Sequence, residues 1–306
     1  GDVLRAQGDL AGALEAYRAA HDADEAAHPD GSVELALDHE RLGDVARAQG
    51  DPDAALEAYG RAREMLRTLA DRPGVVPTAA RRELATCENL RGDMLAEQGR
   101  SAEALEAYSA ARAIRGELAE RDPADREAQR ELAQTEARVG DALRATGDVL
   151  AAVAAYRSAA RIMERLVALD AVNTAWQRDR SAVLGRLGHA LRLENDLGGA
   201  LEAYRTSSEI LRRLTAGDPT NTSWQHDLAV AEANVGDVLR AQGDSAGALD
   251  ALRRTLEVRE RLAALDPSNT AWQRNLSTGQ MAVADVLRSR GDRDRAPPPQ
   301  RAGRDA

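Results

Sequence analysis

The chain has 306 residues and a formal net charge of -10, and all 41 of its basic residues are arginine. Alanine makes up about a fifth of it, phenylalanine is absent and aromatics contribute 3%, so the interior has to be assembled from Ala, Leu and Val. The acidic balance argues against nucleic acid or an anionic membrane as the main partner; the single cysteine, Cys87, excludes an internal disulfide framework and fits a reducing, cytoplasmic compartment; and no apolar run approaches the roughly 20 residues that cross a bilayer.

One phrase recurs along nearly the whole chain. It reads GDVLRAQGDLAGALEAY from Gly1, GDVARAQGDPDAALEAY from Gly43, GDMLAEQGRSAEALEAY from Gly92 and GDALRATGDVLAAVAAY from Gly140. It continues as GHALRLENDLGGALEAY from Gly188 and GDVLRAQGDSAGALDAL from Gly236, then decays to ADVLRSRGDRDRA from Ala284. Successive starts are 42, 49, 48, 48, 48 and 48 residues apart. Each unit is predicted to be two helices of about 20 residues, because apolar residues at i, i+3, i+4 and i+7 are interrupted by a Gly-Asp turn and then resume.

In the opening unit, Gly1 falls inside a first helix, so at least one further helix is expected N-terminal to it. His21, Glu25 and His28 follow at i, i+4 and i+7, a spacing at which two imidazoles and a carboxylate could hold zinc. The positions matching His21 in the next two units are Arg63 and Arg112, and no fourth ligand is evident. No metal is therefore assigned. His39 and His226 are isolated and predicted to be exposed. Cys87 lies on a first helix with no His or Asp partner at a recognisable spacing, and reads as a buried or half-buried inert thiol. The repeated GD turns stop helices instead of following strands, so they are not phosphate loops, and no catalytic or cofactor-binding residue is assigned.

The unit after Asp218 shows the pattern in detail. Thr222 is predicted to cap a first helix bearing Trp224, Leu228, Ala231, Val235 and Leu239 on one face, with Gly243 as its stop. Asp244 or Ser245 caps a second helix with apolar positions Ala248, Leu249, Leu252, Leu256, Leu262 and Leu265, ended by Asp266 and Pro267. Every tyrosine, Tyr17, Tyr59, Tyr108, Tyr156 and Tyr204, stands 16 residues after a unit start, with Leu252 in the sixth unit; alanine stands at offset 12 throughout. Small Gly and Ala would let two helices approach, and Tyr would fill the gap beside them. Trp176, Trp224 and Trp272 each precede a unit start by 12 residues. Residues 291–306, rich in Arg and Pro, read as a disordered tail or linker.

Gly140, Leu143, Gly147, Ala152, Tyr156 and Ala159 show a pattern that resembles the tetratricopeptide repeat, and it recurs in register over residues 1–290. The units depart from the usual length of about 34 residues, being mostly 48. The links DAVNTAWQRDRS, DPTNTSWQHDLA and DPSNTAWQRNLS resemble those of extended repeats in large bacterial multidomain proteins. The resemblance implies an all-α fold, an α-solenoid of stacked helix-turn-helix units forming a right-handed superhelix, with first helices lining a concave groove. The candidate groove residues are Asp44, Arg47, Asp93, Asp141, Arg144, His189, Arg192, Asp237 and Arg240. Asp and Arg recur there at i, i+3, a spacing for intrahelical pairs worth about 0.2–0.5 kcal/mol. Two readings stand: a solvated helix face, or a polar groove for a peptide. The Lys and Asn with which chaperone-binding relatives clamp a terminal carboxylate are not at the matching places, and the recurring Asp would repel one. The function implied is a non-enzymatic protein-interaction scaffold without cofactor. The alternatives are a regulatory or sensor arm of a larger bacterial signalling or effector protein, and an inert spacer.

Overall fold

The structure, a computed structural model, describes residues 1–28, 31–72, 77–289 and 291. Thirteen helices are described in chain order: α1 (Asp2–Ala6), α2 (Leu10–Ala27), α3 (Val33–Ala48), α4 (Pro52–Ala70), α5 (Pro77–Glu97), α6 (Ser101–Arg121), α7 (Arg126–Thr146), α8 (Val149–Leu169), α9 (Thr174–Leu193), α10 (Leu197–Gly217), α11 (Thr222–Ala241), α12 (Ser245–Leu265) and α13 (Thr270–Ser289). Odd-numbered helices are the first helices of the repeats and even-numbered ones the second. The helices form two compact bodies, Gly1–Ile162 and the part that begins at Met163. In the first body each helix from α1 to α7 packs on the next, and α3 also touches α5; in the second, α9 to α13 pack in the same consecutive order. The all-α array of helix-turn-helix pairs is therefore present in both. Apart from Gly291, the tail 291–306 lies outside the described residues.

The GD turn works at both of its letters. Gly8, Gly50, Gly99, Gly147 and Gly243 have φ of 74–94°, a region that favours glycine and ends a helix by turning its last carbonyls toward new donors. The next residue then starts the second helix. Asp9, Asp51, Asp148, Asp196 and Asp244 accept the backbone N–H three residues on at 2.9–3.0 Å, satisfying one of the donors that a helix start leaves open. Where the fifth unit lacks the glycine, Asn195 takes the turn at φ 60°. First helices of the later units begin differently. Asn173, Asn221 and Asn269 accept the N–H of Trp176, Trp224 and Trp272 at 3.1 Å, so the cap is Asn221 and not Thr222. Gln225 donates to the Pro219 carbonyl at 2.6 Å, and Gln177 and Gln273 bond their loops in the same manner.

The core is the alanine, leucine and valine interior that composition demands, filled at intervals by tyrosine. Tyr17, Tyr59, Tyr108, Tyr156 and Tyr204 are all buried, as are the alanines at offset 12 from Ala13 to Ala248. A Cβ on Gly43 would lie 2.5 Å from Tyr59 Cε1, so only glycine lets the ring lie flat against the first helix. Leu228, Ala231, Val235 and Leu239 are buried on α11 as the periodicity predicts. Leu265 is not: it is 63% exposed at the end of α12, although Leu262 and Ala263 in the same turn are buried.

Candidate protein-binding surface

The first helices carry Asp directly after the glycine, and in the first body those aspartates are taken up by the tyrosines. Tyr17, Tyr59, Tyr108 and Tyr156 each donate their hydroxyl to Asp2, Asp44, Asp93 and Asp141, at 2.5, 2.8, 2.7 and 2.7 Å. A buried phenol needs an acceptor, and the residue fifteen positions earlier is placed to provide one. Burial first, then the neighbouring Asp44 charge and hydrogen bond, push the Tyr59 hydroxyl pKa well up, so the phenol stays a donor.

The arginines make a second use of the same face. Arg5 reaches Asp44 on the next first helix, Arg47 reaches Glu97 on α5, and Arg138 on α7 donates to Asp93 at 3.0 Å. These pairs run between repeats, where the i, i+3 spacing suggested pairs within a helix. Intrahelical pairs are seen at Asp237–Arg240, 3.4 Å, and Asp285–Arg288, 2.5 Å. Asp44, Arg47, Asp93, Asp141 and Arg144 are half-buried in the first body. In the second body His189 and Asp237 are half-buried while Arg192 and Arg240 are exposed. The structure thus separates the nine candidate residues into a set engaged in packing and a smaller, more open set.

Sequence reading missed the charged groups on the other side of the first helices. Glu88, Glu136 and Glu232 each stand four residues before a unit glycine. Glu88 is held by Arg63 at 2.7 Å and Arg91 at 2.6 Å, and Glu136 accepts from Ser158 at 3.3 Å. Glu232, 1% exposed, receives Ser208 at 2.6 Å, Arg212 at 2.7 Å and Arg254 at 3.0 Å. Its burial works to raise its pKa, but the bonds from Ser208 and Arg212 and the Arg254 charge outweigh that and leave it below the ordinary carboxylate value. The recurrence of Glu at one register position was the available signal; what it bonds to depends on the flanking second helices.

The metal and nucleophile candidates can be placed. His21 meets His39 edge to face, with ring centroids 4.6 Å apart. His39 is only 8% exposed, against the expectation of an exposed side chain, because α3 has neighbours on several sides. Burial, with the His21 and Arg61 charges, lowers its pKa to about 4. Among the described residues no group of three or more His, Cys, Asp or Glu side chains is placed to hold a metal ion. Cys87 is buried and donates to the Tyr59 carbonyl at 3.2 Å, and burial pushes its thiol pKa far up, the opposite of an activated nucleophile. His226 is exposed. No described helix is long and apolar enough to cross a membrane.

Residues 1–68 match a family model described as tetratricopeptide repeat, and the same Gly, Asp, Ala and Tyr framework repeats beyond them. That opening segment is tetratricopeptide repeat by its sequence, and the rest of the chain shares the helix-turn-helix fold. No curated protein matches it in sequence. Solved structures resemble it in fold. BtubC (BKLC) from P. vanneervenii is 17% identical, with 83% of this chain and 92% of that chain covered and a TM-score of 0.64. Apo RapI is 13% identical, with 94% and 73% covered and a TM-score of 0.63. A signal transduction ATPase with a tetratricopeptide repeat sensor, from Pyrococcus horikoshii, is 13% identical, with 85% and 34% covered and a TM-score of 0.62. Within the later units the extra length lies in longer helices and in the Asn-capped, Trp-bearing links described above.

Proposed function

We propose that this array is a non-enzymatic protein-interaction scaffold that binds a peptide or partner protein along its first helices. Asp44, Arg47, Asp93, Asp141, Arg144, His189, Arg192, Asp237 and Arg240 form the contact face. The observation that carries the reading is the open polar set of the second body, where Arg192 and Arg240 are exposed and Asp237 pairs with Arg240 at 3.4 Å. Such charges add little to stability and leave donors and acceptors for a partner. A fold relative, a Rap protein, has been solved complexed with Competence and Sporulation Factor, which supports a binding role for this architecture. The reading includes a cytoplasmic location, which the single buried thiol favours. Replacing Arg192 and Arg240 together by Ala, with the helical spectrum unchanged, is expected to abolish capture of first-helix partners. Undiminished capture of every partner would sink the reading.

A second reading has its own support. The Pyrococcus horikoshii relative joins its repeat sensor to an ATPase, and this chain corresponds to 34% of that protein. In this reading the array is the regulatory arm of a larger signalling or effector protein. Intact mass of the native product separates the two, since a product much longer than 306 residues with a catalytic module favours the arm.

A further inference from the structure

A cleft recurs on the second-helix side at equivalent places in the two bodies. In the first body it lies between α4 and α6 over α5, with a volume of about 430 Å³. In the second it lies between α10 and α12 over α11, with a volume of about 440 Å³. Counted from each first-helix glycine the floors coincide. Leu84 and Leu228 stand eight residues before it, Glu88 and Glu232 four before, and Ile114 and Val258 twenty-two after. The repeat therefore builds one container twice.

The rims differ. On α6 the rim carries Ala110 and Glu117, and Glu117 is held by Arg81 at 3.2 Å, so charge is cancelled within the protein. At the matching places α12 carries Arg254 and Arg261. Arg212 and Arg254 each give part of their guanidinium to Glu232, yet their side chains are 49% and 45% exposed, which leaves N–H donors facing solvent. Arg261 is exposed; its Nε donates to the Glu257 carbonyl at 3.4 Å, and it makes no ion pair with a described residue. Three arginines stand against two carboxylates, Glu232 in the floor and the open Glu257. The α4–α6 cleft balances Arg63, Arg67 and Arg81 against Asp71, Glu88 and Glu117. In a chain of net charge -10, a locally positive cleft marks a place for an anionic group.

We propose that the α10–α12 cleft docks an acidic peptide segment of a partner protein. Its carboxylates bond Arg254 and Arg261, and an apolar side chain lies over Ala216, Pro219 and the arginine stems. Arg254 and Arg261 are seven residues apart on one helix face, about 10 Å along the axis. A polyproline-II segment rises about 3.1 Å per residue with three residues per turn, so acidic residues three apart present carboxylates on one side at nearly that separation. The site is walled by second helices, and none of the nine first-helix residues of the scaffold reading lines it.

The test is fluorescence anisotropy on the full chain with a labelled peptide of repeated Asp-Leu-Pro triplets, and with its Lys-Leu-Pro counterpart. The acidic peptide should bind, weaken as salt is raised, and lose at least tenfold in affinity with Arg261→Glu, while Arg67→Glu in the other cleft and the Arg192→Ala, Arg240→Ala pair leave it unchanged. Arg261 and Arg67 are exposed, and an unchanged helical spectrum verifies that those variants fold. The proposal is overturned if the acidic peptide fails to bind, if the basic peptide binds equally, if Arg261→Glu has no effect, or if oligothymidylate displaces the peptide at equal charge concentration. Loss of binding with the first-helix pair alone would also overturn it, placing the peptide on that face and leaving the scaffold reading intact.

Discussion

The units that begin at Gly43 and Gly236 share nearly one opening phrase, GDVARAQGD against GDVLRAQGD, yet the same aspartate does different work in them. In the first, Tyr59 is fully buried and its hydroxyl bonds Asp44, which also receives Arg5 from the preceding repeat. In the second, Leu252 occupies the tyrosine position, buried and without a polar tip, and Asp237 pairs with Arg240 on its own helix. A single aromatic residue thus decides whether the aspartate has a buried phenol to accept from. The first helices differ as well. Asp38, His39 and Glu40 are buried in succession on α3, where α11 has Ala231, Glu232 and Ala233 at the matching places.

Removing the aromatic should break the comparison most sharply. Tyr59→Ala is expected to cost about 3–5 kcal/mol, the range for a large buried ring, with the loss centred on α3 and α4 because repeat arrays are stabilised unit by unit. Hydrogen exchange would locate it, and an unchanged unfolding midpoint would take Tyr59 out of the core.

The second test is pH. Burial, with the Glu83 charge, raises the Glu40 pKa from 4.5 to about 8, so between those values the folded state holds a proton that the unfolded chain has released, and stability falls as pH rises. His39 acts in the opposite sense: its pKa is depressed from 6.5 to about 4, so its contribution is lost as pH falls from 6.5. The two slopes oppose each other from pH 4.5 to 6.5. From pH 6.5 to 8 the Glu40 slope is no longer opposed by His39, and it amounts to about 1.4 kcal/mol per pH unit, or about 2 kcal/mol in all. Denaturation of the parent and Glu40→Gln across that window should show the slope in the parent only; equal slopes would remove Glu40 as its source. Nothing comparable is expected from α11, where Glu232 is held charged by its arginines.

Smaller effects sharpen the same contrast. A Cβ on Gly43 meets a stiff ring at 2.5 Å, whereas on Gly236 it meets Leu252 Cγ at 2.9 Å and Cδ2 at 3.0 Å, and a leucine can turn aside. Gly43→Ala should cost about 1–3 kcal/mol and Gly236→Ala clearly less, as read from paired melting curves; the reverse order would deny the ring its role. Asp44→Ala, which strands a buried hydroxyl, should cost about 1–2 kcal/mol. Asp237→Ala should fall within about 0.5 kcal/mol of the parent, and an equal loss in both would show that Leu252 had not released its aspartate.

By itself the sequence determined the repeat and its helices, because period, capping and turn chemistry act over a few residues: the positive-φ glycine, the aspartate that follows it and the Gly–Tyr pair are each legible within one unit. The nine candidate residues were found in the same way, by register, but their engagement was not. Arg5 reaches Asp44 and Arg138 reaches Asp93 across 39 and 45 residues, and an intrahelical spacing cannot reveal that. The same holds for the burial of His39, the glutamates clamped between second helices, and the matched clefts with opposite rims. Each depends on side chains from two or three helices meeting at one place, and only the tertiary structure decides which charges are neutralised there and which remain open.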